Sequence, residues 1–253
     1  MTEESEFGAV LARLLDHRGI TARELADRAE VEGAEVRAVL AGAVPGDELV
    51  RRLASALGHP ALDLSVLAGM AVPDDLAPSD QEAARPLRDL VLSLAALPGE
   101  RRRAVLAEVH ALPRERRRGG FAPRWLLPPG GGPGARLVRL LQYRNLDRLG
   151  VAMTLALVTP SYLSAPTYSV IGAGGKELTP DLLADFAAVS GFDARELAVL
   201  LGLPLPEAPR PPSPAAVDVA ELLRGAGGLS AAQVERLAAD VRAQRSGMTS
   251  PDS

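Results

Sequence analysis

The segment RDLVLSLAALPGERRRAVLAEV (88–109) lies over AELLRGAGGLSAAQVERLAADV (220–241) without a gap, at an offset of 132 residues. The same offset joins Gly42 to Gly174, Asp89 to Glu221, Leu97 to Leu229 and Glu108 to Asp240. Upstream, LARLLDHRGI (11–20) lies over LVRLLQYRNL (137–146) at an offset of 126, so the second copy carries six extra residues between its first and third helices. Three matching segments in one order predict an internal duplication, each copy a compact helical bundle followed by a helical hairpin. Such a chain can pair its halves. The apolar stripes Leu90, Val91, Leu94, Leu97 and Leu222, Leu223, Leu229 predict that the two hairpins meet, making a pseudo-dimer within one chain. Homodimerisation is equally open.

Composition sets the material of the cores. Of 253 residues, 47% are apolar but only 3% aromatic, so Leu, Val and Ala must fill them. That mixture favours helix, and no run of alternating β-branched residues argues for a sheet. The expected fold class is all-α. Its parts are an N-terminal bundle over 1–75, a hairpin over 80–118, a Gly/Pro linker over 119–135, a second bundle over 136–204, a second hairpin over 214–246 and a disordered tail over 247–253. A stiffer Pro-rich connection, LPLPEAPRPPSPAA (203–216), lies inside the second copy. In the linker, Phe121 and Trp125 are expected to staple it onto one bundle.

Several function classes fall away. Without cysteine there is no disulfide and no thiolate metal site, which fits a reducing compartment. The start, MTEESEFG, lacks the basic and apolar regions of a signal peptide. The longest apolar run, LGVAMTLALV (149–158), is too short to span a bilayer. A soluble cytoplasmic protein with no membrane partner is expected. His17, His59 and His110 stand far apart and outside ligand spacing, no serine is framed as Gly-x-Ser-x-Gly, and no metal, cofactor or catalytic residue is expected. The stretch GAGGK (172–176) has no preceding strand and no Gly-Lys-Ser/Thr ending, so it reads as the turn after a helix and not as a phosphate loop.

The first copy reads as five short helices. FGAVLARLLDHRG carries an apolar stripe at helical spacing. Thr21 stands as N-cap before ARELADRAE with Glu24 at the capping-box position, and Gly42 ends AEVRAVLAG as a left-handed residue. GDELVRRLASALG and ALDLSVLAGM follow. With LLDHRGIT, ELADRAEV and VLAG…LVRRLASALG, residues 7–70 resemble the Cro/C1-type (XRE) helix-turn-helix family. Residues 164–203 resemble its later part through the Ser-x-x-Thr helix start, the Ile-x-x-Gly helix end and the Leu-x-x-Phe-Ala pattern.

The resemblance implies binding of double-stranded DNA, with the third helix laid in the major groove. In the first copy its outward positions are Gly33, Ala34, Arg37 and Ala38, so Arg37 alone can read a base edge, with Arg23 beside it on the preceding helix. Two readings of Arg23 and Arg37 stand. They contact guanine and phosphate, or they pair with Glu24, Asp27 or Glu35 at helical spacing. Glu32 and Glu35 would repel phosphates. In the second copy the matching positions are Ala165, Pro166, Ser169 and Val170, and no bidentate reader is present.

Net charge is −4, yet basic residues gather at 81–150. There Arg101, Arg102, Arg103, Arg116, Arg117 and Arg118 are candidates for phosphate contacts outside the groove. The six-residue insertion predicts a lengthened second helix within 148–164, ending before Pro160, with Val151, Leu155 and Leu157 buried. The expected function is DNA-binding transcriptional regulation. The alternative is an interaction module that keeps the fold and binds a protein partner.

Overall fold

The computed structural model describes residues 6–115, 120–204 and 207–248. All regular structure among them is helical, and no helix is long and apolar enough to cross a membrane. The first block holds α1 (Glu6–Arg18), α2 (Ala22–Ala29), α3 (Gly33–Leu40), α4 (Asp47–Ala56) and α5 (Ala61–Leu67). The first hairpin is α6 (Ala84–Ala95) and α7 (Gly99–Ala111). The second block holds α8 (Pro133–Gln142), α9 (Arg148–Val158), α10 (Ala165–Gly172), α11 (Pro180–Ser190) and α12 (Ala194–Leu201), and the second hairpin is α13 (Pro214–Gly225) and α14 (Ala231–Met248). The expected tail from 249 onward lies outside the described residues.

Local chemistry explains the boundaries. The Thr21 hydroxyl accepts from the Glu24 N–H at 3.2 Å, and the Glu24 carboxylate accepts from the Thr21 N–H at 2.8 Å, so the capping box of α2 forms as the residues prescribe. After α3, Gly42 takes φ +100°, and the N–H groups of Gly42 and Ala43 close onto the carbonyls of Val39 and Ala38. After α10, Gly174 takes φ +76°, and Gly174 and Gly175 close onto Ile171 and Val170 in the same way. Both helices thus end in a left-handed turn that satisfies their last carbonyls. GAGGK forms this turn.

The two blocks also share an unusually close helix contact. In the first, α1 approaches the end of α3 at Gly8, where an added Cβ would lie 2.2 Å from the Val39 carbonyl oxygen. In the second, α8 approaches the end of α10 at Gly134, where a Cβ would lie 2.3 Å from the Ile171 oxygen. Only glycine permits either approach.

The blocks do not sit apart. α1 packs on α12 and α5 packs on α8, so the first helix of each block lies against the fifth helix of the other. The hairpins meet as the leucine stripes predict: α6 packs on α14 and α7 on α13, with Leu90, Val91, Leu94, Leu97, Leu222, Leu223 and Leu229 all buried. One continuous apolar core runs through both blocks and both hairpins.

The 119–135 stretch differs from the expected spacer. Phe121 is buried with its ring 5.5 Å from that of Tyr143, the Leu127 N–H donates to the Gln142 side chain at 2.8 Å, and the Gly130 N–H donates to the Gly69 carbonyl at 2.7 Å. It is a strap laid across the junction, because its few apolar side chains find a groove between packed blocks. Residue 119 lies outside the described residues.

The insertion resolves into two parts. α2 has 8 residues and α9 has 11, while the turn grows from residues 30–32 to residues 159–164. α9 ends before Pro160, with Val151 and Leu155 buried as expected. Leu157 corrects the expectation: it is 42% exposed. The buried face of α9 runs through Val151, Leu155 and Val158, and position 157 turns away from it.

Candidate nucleic-acid interface

α2 and α3 pack on each other through Leu25, Ala26, Ala29, Val36 and Val39, which turns the opposite faces to solvent. Arg23 and Arg37 stand on those outer faces, both exposed. Of the three carboxylates that could neutralise them at helical spacing, Glu24 and Glu35 are engaged elsewhere, while Asp27 is exposed four positions after Arg23 and forms no ion pair with it. Glu24 holds the Thr21 cap, and the hydrogen bonds from Thr21 keep its carboxyl below the usual carboxylate range. Glu35 accepts from the Glu32 N–H at 3.2 Å. Among the described residues neither arginine has a hydrogen-bonded or ion-paired partner, and the Arg37 guanidinium reaches back over Gly33 at the start of its own helix. Glu32 and Glu35 share that helix end and place negative charge on the helix that carries Arg37.

The 101–103 cluster divides. Arg101 and Arg103 are exposed on α7. Arg102 is turned inward, where its guanidinium meets the Asp218 carboxylate of α13 at 2.5 Å and the Leu97 carbonyl at 2.7 Å. Its assignment as a phosphate contact is therefore corrected: successive helical residues rotate by about 100°, so one of three adjacent arginines must face the packed side. α7 packs on α6 and α13 whereas α3 packs on α1 and α2, so these two sets of arginines are carried by different parts of the fold. Arg116, Arg117 and Arg118 lie outside the described residues.

The second block offers a different surface. Between Arg148 and Lys176 no residue is charged, a span covering all of α10 and all but the first residue of α9. Tyr162 is 90% exposed in the turn, and Val170 on α10 is 46% exposed. Nothing here is built to bind phosphate. Tyr168, by contrast, is a core residue, edge-on to Phe186 at 6.0 Å, and burial raises its hydroxyl to about 12.

Between the blocks lies a set of arginines that reasoning from local patterns does not assign. Arg13 on α1 donates to the Val199 and Leu200 carbonyls at the end of α12, at 2.9 and 2.8 Å. Reciprocally, Arg136 and Arg139 on α8 donate to the Leu67 and Met70 carbonyls at and beyond the end of α5, at 3.1 and 2.7 Å. Arg18 binds Glu196 at 2.5 Å, and Arg144 binds Asp63 at 2.7 Å. Glu196 and Asp63 are each the third residue of a fifth helix. The signal lay in the two similar decapeptides, where Arg13 aligns with Arg139 and Arg18 with Arg144.

Glu196 has a pH consequence. Hydrogen bonds from His59 and then from Arg18 hold its carboxyl at about 2, against the ordinary 4.5, overcoming the opposing effect of burial. A depressed folded value means that the stabilisation is complete above the unfolded value and disappears as pH falls from about 4.5 towards 2. With the side chain 17% exposed, this is worth roughly 2 kcal/mol after screening. Glu196→Gln should lower stability at neutral pH by that amount and flatten the acid limb of a urea-unfolding series. An acid limb identical to wild type would show that the pairing contributes nothing.

No family model matches the chain, and neither does any curated protein or solved structure.

Proposed function

We propose that the chain is a DNA-binding transcriptional regulator of the Cro/C1-like type whose first block alone reads the duplex. The observation that carries this reading is the pair Arg23 and Arg37: two exposed arginines without partners among the described residues, on the outer faces of a helix-turn-helix joined by a short turn. A guanidinium at Arg37 is the residue type that recognises guanine bidentately, and Arg23 is placed to meet backbone phosphate. Arg101 and Arg103 add positive charge on α7. The matched turns, matched glycine contacts and reciprocal arginines support an origin by duplication, with the second block kept as the partner that completes the core.

Arg37→Ala should weaken specific binding by about 1–3 kcal/mol, the scale of one bidentate base contact, with little change in fold stability. Arg101→Ala with Arg103→Ala should weaken binding to specific and random duplexes alike and flatten its salt dependence. The test is titration of wild type and variants with duplexes enriched from a random pool, and with random duplex, across a salt series. Equal and negligible binding throughout would remove the DNA reading.

One observation favours a second reading. The uncharged α9–α10 surface with exposed Leu157, Tyr162 and Val170 suits a protein partner better than phosphate. If DNA binding fails, this face is where an interaction module would meet its partner.

A further inference from the structure

Where both blocks and both hairpins come together, the surface opens into a cleft of about 700 Å³. Its walls come from the start of α5, the loop before α6, the end of α8 and the turn after α13. From these data we infer that this cleft binds a small organic anion with a compact apolar body, such as an aromatic or medium-chain carboxylate.

Three arginines line it: Arg114, Arg144 and Arg224. Arg144 is committed to Asp63, yet Arg114 and Arg224 donate only to neutral acceptors, the carbonyl of Gly225 and those of Ser190 and Gly191. Neither has a hydrogen-bonded carboxylate among the described residues. Of the two acids in the same wall, one is ion-paired and the other keeps its charge with only a hydroxyl for a partner. Asp75 accepts both of its bonds from Arg51 at 2.8 and 2.7 Å, and Glu115 accepts from the Ser230 hydroxyl at 3.0 Å. Two guanidinium groups therefore border the cleft with no hydrogen-bonded carboxylate among the described residues, Arg224 meeting Asp63 and Glu221 only as through-space charges, and a ligand carboxylate would supply a direct partner. The remaining wall is apolar, with Leu62, Leu76, Leu223 and the ring of Tyr143. A bare inorganic ion would leave that wall wet, and a neutral hydrocarbon would leave the arginines unanswered. The volume suits a small molecule and excludes a folded partner.

The test uses the full chain and the anionic naphthalene dye 8-anilino-1-naphthalenesulfonate, which joins a sulfonate to an apolar body. One saturable dye site per chain is expected, displaced by decanoate but not by decanol or inorganic phosphate. Arg114→Gln combined with Arg224→Gln should weaken dye binding at least tenfold. Ala61→Trp, which keeps every arginine but fills the cleft, should abolish it, so the proposal stays exposed even if the double variant folds poorly. Tyr162→Ser should leave binding unchanged. Displacement by decanol or by phosphate as readily as by decanoate would overturn the proposal. So would absence of a saturable site, loss of binding in Tyr162→Ser, or unchanged binding in Ala61→Trp. None of these readouts involves DNA, so the result stands apart from the regulator reading.

Discussion

Gly8→Ala should destabilise the protein by about 3 kcal/mol, although alanine in a helix is ordinarily the better residue by close to 1 kcal/mol. The new methyl would stand 2.2 Å from the Val39 carbonyl oxygen, a backbone atom at the end of α3 that no side-chain rotation can move aside. α1 would have to retreat from α3, and its buried face of Phe7, Val10, Leu11, Leu14 and Leu15 would lose close packing with it. Gly134→Ala should cost a similar amount, because its methyl would stand 2.3 Å from the Ile171 oxygen and 3.1 Å from the Ile171 side chain. Urea unfolding of both variants checks this. A neutral or stabilising effect at either position would falsify the close approach there.

The second large effect concerns Asp63 and Arg144. Asp63 has no exposed surface, and among the described residues one of its carboxylate oxygens has no hydrogen-bond partner and Arg144 is its one direct ionic contact. Arg144→Leu should cost about 3–5 kcal/mol, since it strands a buried carboxylate. Asp63→Leu should cost less, because Arg144 borders the cleft and its guanidinium can find water there. The double variant Asp63→Leu/Arg144→Leu should recover most of the loss, as it removes both desolvated charges together. A double variant no more stable than Arg144→Leu alone would mean that the side chains act through packing and not through their charges.

What could be read from the residues was what the residues settle locally. The Thr21 cap, the Gly42 and Gly174 turns and the end of α9 before Pro160 each depend on atoms within a few positions. The leucine stripes of the hairpins were legible because seven apolar positions at helical spacing have to be covered by something. Apolar character alone places Leu157 in the core, whereas its angular position near the helix end turns it outward. Arg102 parts from Arg101 and Arg103 for the same reason: composition shows a cluster, and only the rotation about the helix separates its members. The arginines between the blocks were hidden differently. Their acceptors are mostly backbone carbonyls far away in the chain, and a carbonyl at a helix end carries no mark in the sequence.

The reach of those contacts bears on how the chain comes to exist. Arg13 and Val199 are 186 positions apart, and α1 meets its partner helix only when α12 has been made. At a synthesis rate of about 5–20 residues per second, the apolar face turned towards α12 waits roughly 10–40 seconds on the ribosome before it can be covered. During that interval the nascent first block resembles half of a dimer whose other half has not been translated. It is then open to chaperones, to proteases and to the same face on a neighbouring polysome. Synonymous codon usage between α5 and α12, by lengthening or shortening this wait, becomes a determinant of yield for a chain whose finished fold is indifferent to it.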